Sequence, residues 1–222
     1  MRAARALGPP PEPASPDRRS AILDAALGVI AAGGVDAVTH RRVAAAAGVP
    51  LGSTTYYFAS RDELLREAFR HYAASVFAWV AELEAELPHS TAMDLVEFLV
   101  EFARREFADP ERVRVEYELI LRAARDPALA REFQAFERAL ASRLAEALER
   151  LGAAQPFDAA RTLTALVRGF ELERLTRPDA DVEELRRRLV PVVAALIERS
   201  PHGDPAPARK HERRGRSRNP RP

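Results

Sequence analysis

Three groups of residues in this 222-residue chain are of types that could do chemistry. The first is the stretch GVPLGSTTYYF, residues 48–58, with Thr39, Arg41 and Arg42 shortly before it. Hydroxyls and cations around a glycine suit the recognition of phosphates and base edges. The second is the five histidines, His40, His71, His89, His202 and His211. None makes a metal-spaced pair with another histidine or a carboxylate motif. With no glycine-rich phosphate loop, nucleophile elbow or metalloprotease signature either, the chain does not read as an enzyme and calls for no cofactor. The third is a set of aromatic and charged side chains expected to face a helical interior: Tyr72, Phe77, Trp79, Phe98, Phe102, Tyr117, Arg122 and Phe170. They could line a ligand cavity or serve as ordinary core. Arg122, beside Ile120 and Leu121, needs a carboxylate, either Glu118 on its own helix or an acidic ligand.

These groups must be positioned by helices. Apolar residues recur at spacings of three and four, and alternating strand-like runs are absent, so the expected class is all-α. Asp17 or Ser15 can cap a first helix with the stripe Ile22, Ala25, Ala26, Val29 and Ile30, ended by Gly33 and Gly34. Thr39 can cap a short second helix carrying Val43, Ala44 and Ala47, which Gly48 stops. A third begins near Pro50 or Leu51 and runs to Phe58. Ser60 with Glu63 forms a capping box that opens a long helix from Arg61 to about Leu87. Further helices are expected at about 91–107, 110–125, 128–151, 157–176 and 180–199, with a proline at each break.

Two short helices joined by Gly48-Val49-Pro50 and braced by a preceding helix make a helix-turn-helix pattern. Its inner face must be small and apolar, which Val43, Ala44, Ala47 and Val49 supply. Its outer face would present Leu51, Gly52, Ser53, Thr55, Tyr56 and Tyr57. Neighbouring helical residues point about 100° apart, so Tyr56 and Tyr57 cannot fill one pocket and at least one must face outward.

The bulk numbers are compatible with this reading. The chain has no cysteine, which fits a reducing cytoplasm, and no run of roughly 20 apolar residues long enough for a membrane span. No export signal is read in its first residues, so a soluble cytoplasmic protein without membrane contact is expected. Net charge is +1, distributed as +2 over residues 1–70, −6 over 71–199 and +5 over 200–222. An acidic body between basic ends suits a molecule that presents only part of itself to a polyanion. Residues 1–14 and 200–222 lack the apolar side chains needed to offset chain entropy and read as a disordered arm and a disordered basic tail.

The span 35–65, VDAVTHRRVAAAAGVPLGSTTYYFASRDELL, resembles the DNA-binding motif of the TetR (tetracycline repressor) family of bacterial transcription regulators. The resemblance lies in Thr39, Val43-Ala44, the turn at residues 47–49, Gly52, Tyr57-Phe58 and the run Ser60 to Leu65. It implies that Thr39 caps the supporting helix and touches phosphate, and that Arg41 reaches a base edge. Leu51, Gly52 and Ser53 would lie on the reading edge, and Tyr56 and Tyr57 would contact phosphate above a buried Phe58. Arg61 stands where a lysine is usual and would join them at the DNA. Two positions depart from the pattern: Pro50 replaces the usual capping Ser or Thr, and Thr55 replaces the usual first Tyr.

The resemblance further implies a DNA-binding domain at residues 15–62 and a ligand-binding and dimerisation domain at 63–199, whose last two helices pair across a two-fold axis. The segment ERVRVEYELILRAARDPALA, 111–130, is similar to a common type of this C-terminal domain. The expected function is a homodimeric repressor that binds a palindromic double-stranded DNA operator and is released by a small-molecule effector. Two alternatives are a ligand-independent or activating regulator on the same scaffold, and a helical protein-interaction module without DNA binding.

Overall fold

The computed structural model describes residues 16–87 and 90–198. Its elements in chain order are α1 (Pro16–Gly33), a 3₁₀ turn (Val35–Ala37), α2 (His40–Ala46), α3 (Leu51–Tyr57) and α4 (Arg61–Glu86). Then follow α5 (Ala92–Ala108), α6 (Pro110–Ala123), α7 (Pro127–Arg150), α8 (Pro156–Thr176) and α9 (Val182–Glu198). The fold is all-α, with no strand among the described residues.

Local chemistry accounts for the helix boundaries. The side chains of Thr39, Thr91, Asp109 and Asp126 accept from backbone N–H groups in the first turns of α2, α5, α6 and α7, satisfying donors that the helix itself leaves open. Prolines stand in the first turn of α6, α7 and α8, where the missing N–H costs nothing. Ser60 Oγ accepts from Glu63 N at 3.1 Å, but the Glu63 carboxylate accepts from Ala59 N at 2.7 Å, one residue before the capping serine. The fully reciprocal box lies instead at Thr91 and Asp94. The expected caps Ser15 and Asp17 lie outside the described side chains, as do the arm at 1–14 and the tail at 200–222.

One continuous apolar core runs from Ile22 in α1 to Val193 in α9. In the N-terminal part α1 packs on α2 and α4, and α2 packs on α3; beyond it, α7 lies along α8 and α5 along α9. The expected domain boundary at 62/63 falls within the first turn of α4, which runs unbroken from beside the short helices into the larger bundle. A second link is α6, which packs on both α1 and the 3₁₀ turn. No helix among the described residues is long and apolar enough to cross a membrane.

Candidate nucleic-acid interface and interior cavity

The turn between α2 and α3 depends on Gly48. Its φ of +64° lies in the left-handed region that side chains with a Cβ disfavour, while a Cβ there would meet no atom within 4 Å. Glycine is therefore required by backbone conformation, not by space. Pro50, extended at φ −59° and ψ 145°, is the N-cap of α3 and makes no side-chain cap. Val43 and Ala44 are buried, and Ala47 and Val49 half-buried, as an inner face requires.

Thr54 was passed over in the sequence, yet it is the most buried residue of α3. Its hydroxyl lies 2.9 Å from Leu51 O and 3.4 Å from His40 O, so it can donate within its own helix or across to the start of α2. A hydroxyl between two short helices fixes their crossing, because a buried O–H must find an acceptor. The only trace in the sequence is its position, three residues beyond Leu51 and four before Phe58.

The outward edge carries Arg41, Leu51, Gly52, Thr55 and Tyr56, all exposed, with Thr39 beside them and Ser53 half-buried. A Cβ at Gly52 would meet nothing within 4 Å, so packing inside the chain does not require glycine there. The tyrosines divide their tasks. Tyr56 is 70% exposed, whereas Tyr57 packs against the core, its ring edge-on to Tyr56 at 5.3 Å and 6.2 Å from Phe58. Phe58 is fully buried, with the Arg19 guanidinium 5.6 Å from its ring. The Thr55 hydroxyl folds back onto the carbonyls of Gly52 and Leu51, at 3.2 and 3.5 Å.

Arg61 is held internally. Its Nε donates to Val38 O and its Nη2 to Val35 O, both at 2.8 Å, with Asp36 3.5 Å away. The guanidinium clamps the 3₁₀ turn onto the start of α4. A planar fork can do this where a lysine, with a single point of charge, could not serve two carbonyls in the same way.

The bundle holds a partly open cavity of about 100 Å³ between α4, α5, α6, α7 and α8, many times the space one water needs. Of the residues expected to face a ligand, Tyr72, Phe98 and Phe102 line it. The others do not. Trp79 stacks behind Phe102 at 4.7 Å, and Phe77 packs on Phe136 at 5.5 Å. Tyr117 donates to Arg168 O at 3.0 Å, and Phe170 is buried against Phe107 at 5.6 Å. Arg122 pairs with Asp62 at 3.3 Å and Asp126 at 3.6 Å, not with Glu118. Glu118 instead accepts from Val35 N at 3.1 Å, because α6 lies against the 3₁₀ turn and offers its carboxylate an open helix-end donor. Both side chains thus join α6 to the N-terminal part.

The cavity wall also holds charges that the sequence reading missed. Glu106 is 3% and Glu171 6% exposed, and both line the space together with Glu116 and Arg168. Tyr72 OH donates to Glu116 at 2.7 Å, and Arg168 Nη2 donates to the other Glu116 oxygen at 2.8 Å and pairs through Nη1 with Glu137. Arg112 stands 3.3 Å from Glu106, its guanidinium 5.4 Å from the Tyr72 ring and 5.3 Å from Trp79.

Burial, reinforced by the charge of Glu116, pushes the Glu106 carboxyl up to about 7. Burial with Glu116 and Glu106 pushes Glu171 up to about 8. Burial likewise raises the Tyr72 hydroxyl well above its ordinary value. A usable signal was present in the spacing. Glu106 follows Phe102 by four, and Glu171 follows Leu163 and Val167 at intervals of four, so both carboxylates sit on apolar stripes.

Residues 22–68 match a family model described as bacterial regulatory proteins, tetR family, and residues 90–199 one described as tetracyclin repressor-like, C-terminal domain. Among solved structures, a TetR-family member from Streptomyces coelicolor A3 is 33% identical at a TM-score of 0.62, with 80% of this chain and 98% of that chain covered. The multidrug binding protein EbrR complexed with ethidium is 34% identical at 0.62, covering 81% and 99%. A transcriptional regulator from Rhodococcus sp. Rha1, 24% identical at 0.70 over 83% and 97%, shares the fold. No curated protein matches the chain.

Proposed function

The chain belongs to the TetR family of DNA-binding transcriptional regulators, and from that premise we propose that it is a homodimeric repressor whose operator binding is relieved by a small molecule in the α4–α8 cavity. Thr39, Arg41, Leu51, Gly52, Ser53, Thr55 and Tyr56 form the DNA-facing edge. Tyr56 reaches phosphate, Arg41 and Leu51 read bases, and Gly52 lets the backbone approach. Tyr57 supports that edge from the core, with its ring packed on Phe58. Arg61 acts by positioning, since its guanidinium is held by the turn that precedes α2.

The observation that carries the release half of the proposal is the double role of α6. Glu116 lines the cavity, while Glu118 and Arg122, within two turns on the same helix, grip Val35 N and Asp62 in the N-terminal part. A ligand that favours a different seat for α6 must therefore bias the position of α2 and α3, and the coupling is reciprocal. Dimerisation is supported by the exposed apolar residues Leu172 and Leu175 on α8 and Val190 on α9. A single seven-residue helix reads few base pairs, and two copies about one DNA turn apart would read a near-palindrome.

The test is fluorescence anisotropy with DNA from upstream of the protein's own gene. The wild type should bind one near-palindromic site as a dimer. Tyr56→Ala should weaken binding to every sequence and flatten its salt dependence, whereas Arg41→Ala should change the preferred sequence. Arg122→Ala should alter operator affinity without changing the cavity. Absence of any preferred site, with Tyr56→Ala indistinguishable from wild type, would overturn the proposal.

A further inference from the structure

The charges around the cavity do not balance. Its walls and their immediate partners bring together five carboxylates, those of Glu84, Glu106, Glu116, Glu137 and Glu171, against three guanidiniums, those of Arg112, Arg143 and Arg168. Arg143 pairs with Glu84, Arg112 with Glu106, and Arg168 is shared between Glu116 and Glu137. Glu171 is left over. It is 6% exposed and lines the cavity, no hydrogen bond reaches its carboxylate among the described residues, and the cation that acts on it, Arg168, is already taken up by Glu116 and Glu137.

A buried carboxylate without a donor is costly, and chains retain one where something else completes it. A metal ion does not fit the arrangement, because among the described residues no three carboxylates or histidines come together in a way that could hold one. The remainder of the wall is aromatic and aliphatic. Tyr72, Phe98, Phe102 and Phe136 offer ring surface, and Thr164 supplies a hydroxyl one turn before Arg168. Such a wall accommodates a flat organic group and attracts a cation through the ring faces.

We propose that the effector is an aromatic organic monocation carrying N–H donors, seated with its ring among Tyr72, Phe98, Phe102 and Phe136 and its charged head on the Glu171 carboxylate. Glu116 and Glu106 face the same space but are held by Arg168 and Arg112, which leaves Glu171 as the group that meets the cation. The inference rests on reading the C-terminal bundle as effector-binding. It adds that the site selects for positive charge, and that Glu171 determines the selection. Above about pH 8, where Glu171 is ionised, a neutral ligand leaves that carboxylate uncompensated and an anion meets a wall that carries excess negative charge.

The probes are three molecules of one shape and different charge: benzamidine as the cation, benzamide as the neutral form and benzoate as the anion. Binding to the full chain without DNA is followed by calorimetry and by the fluorescence of Trp79, the only tryptophan, which stacks on the cavity residue Phe102. At about pH 9, where Glu106 and Glu171 are ionised, benzamidine should bind at least roughly tenfold more tightly than benzamide, and benzoate more weakly still. Glu171→Gln, nearly identical in shape, should erase the preference for benzamidine and leave benzamide binding in place. The wild-type comparison needs no variant, so it stands even if Glu171→Gln folds poorly. Equal binding of benzamidine and benzamide, a preference for benzoate, no binding by any of the three, or a preference that survives in folded Glu171→Gln would each overturn the inference. None of these outcomes touches operator binding, whose failure is read separately on DNA.

Discussion

Around α3 the polar groups face outward: Arg41, Thr55 and Tyr56 are exposed, and beneath them lie Val43, Ala44 and Phe58. Around the cavity the order is inverted, with Glu106, Glu116, Glu171 and Arg168 turned inward on helices whose other stripe residues are apolar. Under the proposed function, the contrast follows from what each region would meet. A long polyanion is met on a surface, where solvated charges attract at little cost to the fold. A small ligand is enclosed, and the groups that identify it must be buried, so recognition there is built at the expense of stability.

Three experiments put this contrast to the test. The largest effect is expected under the outward-facing region. Phe58→Ala removes a fully buried ring beneath α3 and should lower the unfolding free energy by about 3–5 kcal/mol in denaturant titration. A loss below about 1 kcal/mol would mean that α3 does not rest on Phe58.

The cavity should make its own contribution through pH. Glu106 and Glu171 hold their protons more tightly when folded, up to about 7 and 8, than as ordinary carboxyls near 4.5. Between those values the native state carries the extra protons, so stability falls as pH rises and levels off above about pH 8. The loss from pH 5 to pH 9 should show in denaturant titration, and Glu106→Gln with Glu171→Gln should flatten it. A stability that rises across this window would contradict burial as the governing effect. Bound benzamidine should reduce the slope, because a cation offsets the cost of ionising Glu171.

The smallest effects compare two side chains of the DNA-binding region. Arg61→Met loses two hydrogen bonds to carbonyls from a partly exposed guanidinium and should cost about 1–2 kcal/mol. Tyr56→Ala, at a position 70% exposed, should change stability by less than about 0.5 kcal/mol while affecting DNA binding more. If the two changes cost the same, Arg61 does not act by positioning.

Much of the helical frame was readable because its determinants are local. Thr39 lies three residues from the N–H it caps, Gly48 stops α2 through its own φ, and proline marks the starts of α6, α7 and α8. The burial of Phe58 followed from the family resemblance, and the helical period required that one of Tyr56 and Tyr57 face outward without saying which. What the period could not reveal was where each polar side chain finds its partner. Arg122 was expected to meet Glu118, four residues back on its helix, or an acidic ligand, and was found between Asp126 and Asp62, the latter sixty residues away in sequence. Arg61 was expected on DNA and was found holding the carbonyls of residues 35 and 38.

The helices, the turn between α2 and α3 and the side of α3 that faces out were all legible in the residue order, since each depends on residues within a few positions of one another. That Glu171 is buried without a donor, and that Glu118 and Arg122 tie α6 to the N-terminal part, emerges from the packing of distant helices. Desolvation and long-range pairing depend on which helices enclose a group, and Glu171 owes its environment to five of them.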